Sequence, residues 1–129
     1  MSLNDKTVHI TFGDVVNVEG EKQFGILSGD DLVVRLSLEL ENVKRLVFAI
    51  GGVDGLLRIP PEHATKEDLI EVWTPDIRFE GVHQSDIDVT GGIGLKAARG
   101  AHVAAHGINV VMVNGGKPER VLAAMLGNP

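Results

Sequence analysis

Apolar positions along this chain change their spacing several times, and each change predicts an element. Residues 9–12 and 15–18 are short β-rich runs on either side of Gly13-Asp14, and residues 23–27 form a third, with Glu19-Gly20-Glu21 as the turn between the last two. Strand, hairpin and strand are expected there. From Asp31 onward Leu32, Val33, Leu36, Leu38 and Leu40 fall mostly at helical spacing, with Ser28 and Asp30 offering capping oxygens, so a helix should begin near Gly29. The unbroken apolar run 46–50 has the length of a strand buried on both faces, and Gly51-Gly52 ends it.

The second half reads in the same way. Thr65-Lys66-Glu67-Asp68 ahead of Leu69, Ile70 and Val72 resembles a short helix start with acids near its positive end. Pro60, Pro61, Pro75 and Gly81 mark loops, and the polar residues 84–88 lead into Gly91-Gly92 and an Ala-rich helix reaching about His106, with Gly107 as its C-terminal glycine. Residues 108–113 form a second buried-strand pattern. Asn114-Gly115-Gly116 is a tight turn, and a helix with proline in its first turn runs from 118 to 126. Strand and helix alternate, which predicts an α/β domain with a largely parallel sheet.

Composition narrows the possible functions. With 43% hydrophobic residues in 129, the chain suits one globular domain over 1–129. Lys and Arg number 12 against 18 Asp and Glu, a net charge of -6, so no broad basic face exists for a nucleic acid backbone. Phosphate chemistry must then rest on local backbone amides and one or two cations. There are no cysteines, which removes disulfides and thiolate chemistry and fits a reducing compartment. No apolar run approaches the roughly 20 residues of a membrane span, so no membrane partner and a cytoplasmic location are expected. Met1-Ser2-Leu3 reads as a vector-derived start, and with the stop at Pro129 both ends are expected to be cut.

Glycine-rich turns are the features that can carry chemistry. Ser28-Gly29-Asp30-Asp31, Gly51-Gly52-Val53-Asp54-Gly55, Asp88-Val89-Thr90-Gly91-Gly92 and Asn114-Gly115-Gly116 each precede a helix or follow a strand. In an open α/β sheet such loops gather at the carboxyl ends of strands, where amides and helix N-termini can meet phosphate oxygens. Two other patterns carry less. His102 and His106 stand at i and i+4, as zinc enzymes space their ligands, but no glutamate follows the first and no third ligand is evident, so a solvated helix face is expected and no metal site. Gly92-Ile93-Gly94-Leu95-Lys96-Ala97 fits a loose dinucleotide turn, yet residues 85–88 make a poor buried strand and Asn114 stands where the ribose-binding acid is wanted. Trp73 reads as packing.

Taken in order, Gly13-Asp14-Val15-Val16, Phe24-Gly25-Ile26-Leu27-Ser28-Gly29-Asp30-Asp31, Val53-Asp54-Gly55, Asp88-Val89-Thr90-Gly91-Gly92-Ile93 with Lys96, and Asn114-Gly115 with Pro118-Glu119-Arg120 resemble the amino acid kinase superfamily. Isopentenyl phosphate kinases of the archaeal type are the nearest likeness, over about Gly13 to Gly127. The resemblance implies a three-layer α/β/α sandwich with a mainly parallel sheet, like that of carbamate kinase, of which this chain is the ATP-binding C-terminal half. The half that binds the acceptor would be the missing N-terminal half of the same kinase. It implies ATP and Mg2+ as cofactors, a small-molecule acceptor, and a homo-oligomer. Lys96 would neutralise the transferred phosphoryl group and Asp88 would orient the cationic machinery. Thr90, Gly91 and Gly92 would line the phosphate site, Ser28, Gly29 and Asp30 would lie near the junction of the halves, and Asp54, Gly55, Asn114 and Gly115 would complete the nucleotide site.

The chain departs from the family in two places. Where the family reads Thr-Asp-Val-Asp-Gly followed closely by Tyr, this chain has Gly51-Gly52-Val53-Asp54-Gly55-Leu56-Leu57; and the family's Gly-Thr strand after the last helix does not occur before Pro129. The first departure motivates a rival expectation, a degenerate nucleotide-binding or regulatory module without activity. A kinase of the same superfamily for an amino acid, uridylate or another small molecule is the other alternative.

Overall fold

The computed structural model describes residues 7–76 and 92–128. They form a small mixed α/β domain with the elements β1 (Asp14–Asn17), β2 (Phe24–Leu27), α1 (Gly29–Glu39), β3 (Arg45–Ile50), α2 (Gly92–Ala104), β4 (Asn109–Asn114) and α3 (Pro118–Leu126). Among the described residues the strands make two separate pairs rather than one sheet. β1 and β2 are an antiparallel hairpin with Val15 opposite Ile26, whereas β3 and β4 run parallel with Leu46 opposite Val110 and Phe48 opposite Met112. The expected largely parallel sheet is thus realised in one pair.

Local chemistry explains where the helices begin and end. Ser28 has extended backbone and its hydroxyl accepts from the Asp30 amide at 3.2 Å, satisfying one of the amides that α1 leaves open, while Asp30 and Asp31 place negative charge in its first turn. Asp30 was an expected capping oxygen as well; its carboxylate is engaged elsewhere, with Lys96. α3 begins with Pro118 and closes on Gly127 at φ +80, a left-handed position where the Gly127 amide reaches Ala124 O and Asn128 N reaches Ala123 O. Gly107, at φ +85, lies just past α2, which ends at Ala104, two residues before the expected His106.

The core forms where α1 and α2 meet one face of the parallel pair. Leu46, Phe48 and Ile50 alternate along β3 and are buried with Val103 of α2, while Val33 and Val34 of α1 pack against them. Each such side chain contributes about 1.5–3 kcal/mol relative to exposure. Gly100 lets α2 approach the strands, because a Cβ there would lie 3.2 Å from Val110 Cγ1 and 3.5 Å from Phe48 Cε2. A smaller cluster of Leu56, Ile70 and Ala97 carries Trp73, which packs as expected.

Burial on both faces of β3 is not realised. Arg45 and Val47 are half-buried and Ala49 is exposed, because α3 covers that side of the pair only in part. The tie there is local: Arg45 Nη1 donates to Met125 O at 2.8 Å, capping an open carbonyl at the end of α3.

Two expected elements are also corrected. Residues 9–12 are not a strand, since the alternation of Ile10 and Phe12 with His9 and Thr11 has no ladder partner among the described residues. The helix expected after Thr65 is a single 3-10 turn, Lys66–Asp68, closed by reciprocal bonds between Thr65 and Asp68. Beyond it the chain is extended, Leu69 bridges Leu57, and the Ile70 amide bonds to Leu56 O, so these apolar residues are spent on strand-like packing.

Candidate functional site

Topology decides which residues can meet. α1 returns to the start of β3 through residues 40–44, and α2 returns to the start of β4 through 105–108, so the N-termini of both helices lie at the end where the parallel strands finish. α3 departs from that same end after Asn114-Gly115-Gly116. The carboxyl edge of β3 and β4 therefore collects three helix N-termini and both glycine turns that follow the strands, the arrangement in which open α/β sheets receive ligands.

Lys96 occupies the space between α1 and α2. It stands on the second turn of α2 and leans toward the helix start, as helical side chains do. Its ammonium pairs with the Asp30 carboxylate in the first turn of α1 and lies 5.1 Å from the centroid of the Phe48 ring. The two charged side chains are 24% and 16% exposed, so Lys96 is not a solvated surface lysine. One turn further on, Arg99 Nη2 pairs with Asp31 at 2.7 Å, making a second bridge between the same helices; its Nη1 is buried without a partner among the described residues.

A second cluster lies on the loops after the strands. Asp54 accepts from Lys117 Nζ at 2.7 Å and from Asn114 Nδ2 at 3.2 Å, while Asn114 Oδ1 accepts from the Gly116 amide at 2.9 Å. Asn114 is the last residue of β4, and its side chain joins the turn that follows β3 to the turn that leads into α3. The pair sits in water, with side chains about half exposed, so it orders the loops without contributing much stability.

Asp54 has its carboxyl held below its ordinary value of 3.8, first by the bond from Lys117 and then by that from Asn114. The sign follows from linkage. A depressed folded pKa gives stability that is present above 3.8 and lost as pH falls through the lower folded value. Lys117→Met is expected to return the Asp54 titration, followed by carboxyl-carbon NMR, toward 3.8. An unchanged midpoint would show that the ion pair does not form.

The expected site residues separate into groups. Ser28, Gly29 and Asp30 come together with Lys96 and Gly92 at the starts of α1 and α2, and Asp54, Asn114 and Gly115 come together at the strand ends. Gly29 is there for close approach: a Cβ would lie 3.0 Å from Gly13 N and 3.2 Å from Phe12 C. Gly55 is buried, and a Cβ there would lie 3.1 Å from Leu69 Cδ1, so it serves close packing rather than an open face toward a nucleotide. Asp88, Thr90 and Gly91 lie outside the described residues.

Lys117, Arg99 and Asp31 belong to these clusters and were not singled out as site residues. The signals available were a lysine between a glycine turn and a helix-starting proline, and an arginine one turn after Lys96. Among the described residues no three His, Cys, Asp or Glu side chains gather, and His106 Nδ1 lies 2.9 Å from His102 O just past the end of α2. A cavity of about 440 Å³ opens at the other end of the strands, against Trp73, Gly107 and Asn109, away from both clusters. Among the described residues no helix is long and apolar enough to cross a membrane.

No family model, curated protein or solved structure matches this chain.

Proposed function

We propose that this chain is the nucleotide-binding half of an ATP-dependent small-molecule kinase that transfers the γ-phosphoryl group to a small phosphate acceptor, with isopentenyl phosphate as the first acceptor to try. The observation that carries the reading is the placement of Lys96: a shielded ammonium held over Phe48 at the start of α2, on the carboxyl edge of a parallel strand pair. Phosphoryl transfer asks little covalent chemistry of a protein, only positioned amides and cations around the phosphates. Gly92 and the α2 N-terminus supply the amides and Lys96 the cation. Asp30 holds the ammonium in place until a phosphate takes over as its counter-charge.

Magnesium in this reading arrives on the nucleotide phosphates, since the described residues gather no carboxylate set for it. Asp54, Asn114 and Lys117 shape the adjoining loops, with Lys117 offering a second cation to the phosphates or ribose. The finer architecture of the proposal is the three-layer α/β/α sandwich with a mainly parallel sheet. α1 and α2 against one face of β3, with Arg45 bonded to α3 from the alternate side, support it. The same site would serve an amino acid or uridylate kinase, because contacts to the acceptor are not among the residues gathered here.

The test is calorimetric titration of the chain with ATP in excess magnesium. Saturable binding is expected, without turnover of isopentenyl phosphate by this chain alone. Absence of binding at millimolar nucleotide would favour the degenerate module that Gly51-Gly52 motivates.

A further inference from the structure

The cavity of about 440 Å³ beside Trp73 lies at the amino edge of the parallel pair, the end away from the helix starts. Its lining is part apolar and part acidic. Trp73, Ile108 and Val110 supply the apolar part, Glu71 and Asn109 the polar part, and Ala104 brings in the last residue of α2. Among the described residues that line it Glu71 carries the only formal charge, and no cation among the described residues pairs with its carboxylate. A volume of this size falls within the roughly 300–1,000 Å³ of small-molecule sites.

Electrostatics chooses the sign of an occupant. α1 and α2 both end at this edge, so it receives the negative poles of helices whose positive poles face the opposite one. Arg45 already shows the preference: it begins β3 opposite Asn109, and its guanidinium donates to Met125 O at the end of α3, at 2.8 Å. A carboxylate without a counter-ion, the end of α2 and a net charge of -6 all favour a cation in the cavity. Trp73 favours the same choice, because an indole face attracts an ammonium within about 6 Å and packs well against apolar groups. We infer that the cavity binds a small organic amine, its protonated primary ammonium bonded to Glu71 and its apolar body set against Trp73, Ile108 and Val110. A primary ammonium has three donors and no acceptor, which matches a carboxylate and an amide oxygen as the polar side-chain partners on offer. The inference does not depend on the kinase reading, whose residues lie at the other edge.

Three probes of one skeleton test it: phenethylammonium, the neutral 2-phenylethanol and the anionic phenylacetate, each titrated into the chain while the fluorescence of Trp73, the single tryptophan, is followed. Saturable binding of phenethylammonium is expected with a dissociation constant below about 1 mM, and at least tenfold weaker binding of the other two. Glu71→Gln should raise the constant for phenethylammonium at least tenfold and leave that for 2-phenylethanol unchanged. Glu71 is exposed, so far-UV circular dichroism should not change. Glu119→Gln removes one charge from the start of α3, at the opposite edge, and should alter none of the three. No saturation by 20 mM phenethylammonium would overturn the inference, as would equal binding of the three probes. Equal losses from Glu71→Gln and Glu119→Gln would also overturn it, by showing attraction to the net charge alone.

Discussion

On the proposed kinase reading, Lys96→Ala in the chain completed by its acceptor half is expected to lower kcat by roughly 100-fold or more while weakening ATP binding much less, as loss of one fixed transition-state donor does. The expectation rests on where the ammonium is held. In solution a lysine head is mobile and hydrated, and gains little from a change in a nearby charge. Here the ammonium itself lies 5.1 Å from the centroid of the Phe48 ring and pairs with Asp30, so the cation is already oriented and shielded on the side facing the sheet. Charge on the migrating phosphoryl group and the bridging oxygen rearranges during transfer, and a fixed cation stabilises that arrangement more than it stabilises bound ATP.

Two controls separate this from a structural role. Lys96→Met keeps an unbranched apolar side chain without the charge and should match the alanine variant in kcat, whereas a loss due to packing would be recovered. Asp30→Asn frees the ammonium but leaves the cation present, so its kcat should fall less than that of either Lys96 variant. A rise in KM for ATP with kcat untouched would make Lys96 a simple binding residue. No change at all would remove it from the site.

Phe48→Ala is expected to cost about 3–5 kcal/mol of stability, a large part of what a domain of this size possesses. Phe48 is 6% exposed in the middle of β3, packed with Leu46, Ile50 and Val103, and it also supports the Lys96 ammonium. Truncation removes the ring and leaves a cavity between α2 and the strands that the close Gly100 contact cannot easily collapse. Urea unfolding followed by the fluorescence of Trp73, the single tryptophan, gives the measurement. Phe24→Ala is the contrast: at 63% exposure it should change stability by under ~0.5 kcal/mol in dilute solution. Equal effects at the two phenylalanines would show that the core is not where the structure places it.

What the sequence by itself determined is the part of the molecule governed by contacts a few residues apart. Ser28 caps α1 through the amide two positions on, Pro118 starts α3 and Gly127 ends it, and these signals act through local dihedral preferences and the open amides and carbonyls of helix ends. The apolar runs around Phe48 and Val111 became β3 and β4 within one residue of their expected limits, because continuous β-branched and aromatic stretches have few other uses in a short chain. The same local logic failed at residues 9–12 and after Thr65. An alternating pattern is a strand only when another strand lies beside it, and a capping box needs several more helical residues to become a helix.

Only the tertiary structure decided which distant segments meet. Parallel pairing of β3 with β4 joins residues separated by more than 60 positions, and it alone turns the helix starts toward one edge. The Lys96–Asp30 pair spans 66 positions and the Lys117–Asp54 pair spans 63, so neither partner could be assigned from spacing. Lys96 was a candidate through the resemblance of Asp88-Val89-Thr90-Gly91-Gly92 with a lysine four residues later, but its shielding was not legible, because that depends on Phe48 and on α1 crossing beside α2. Lys117 and Arg99 were illegible for the same reason: a cation acquires a role from the acid that faces it, and chain order does not encode that pairing until the core formed by Leu46, Phe48, Ile50 and Val103 brings the helices together.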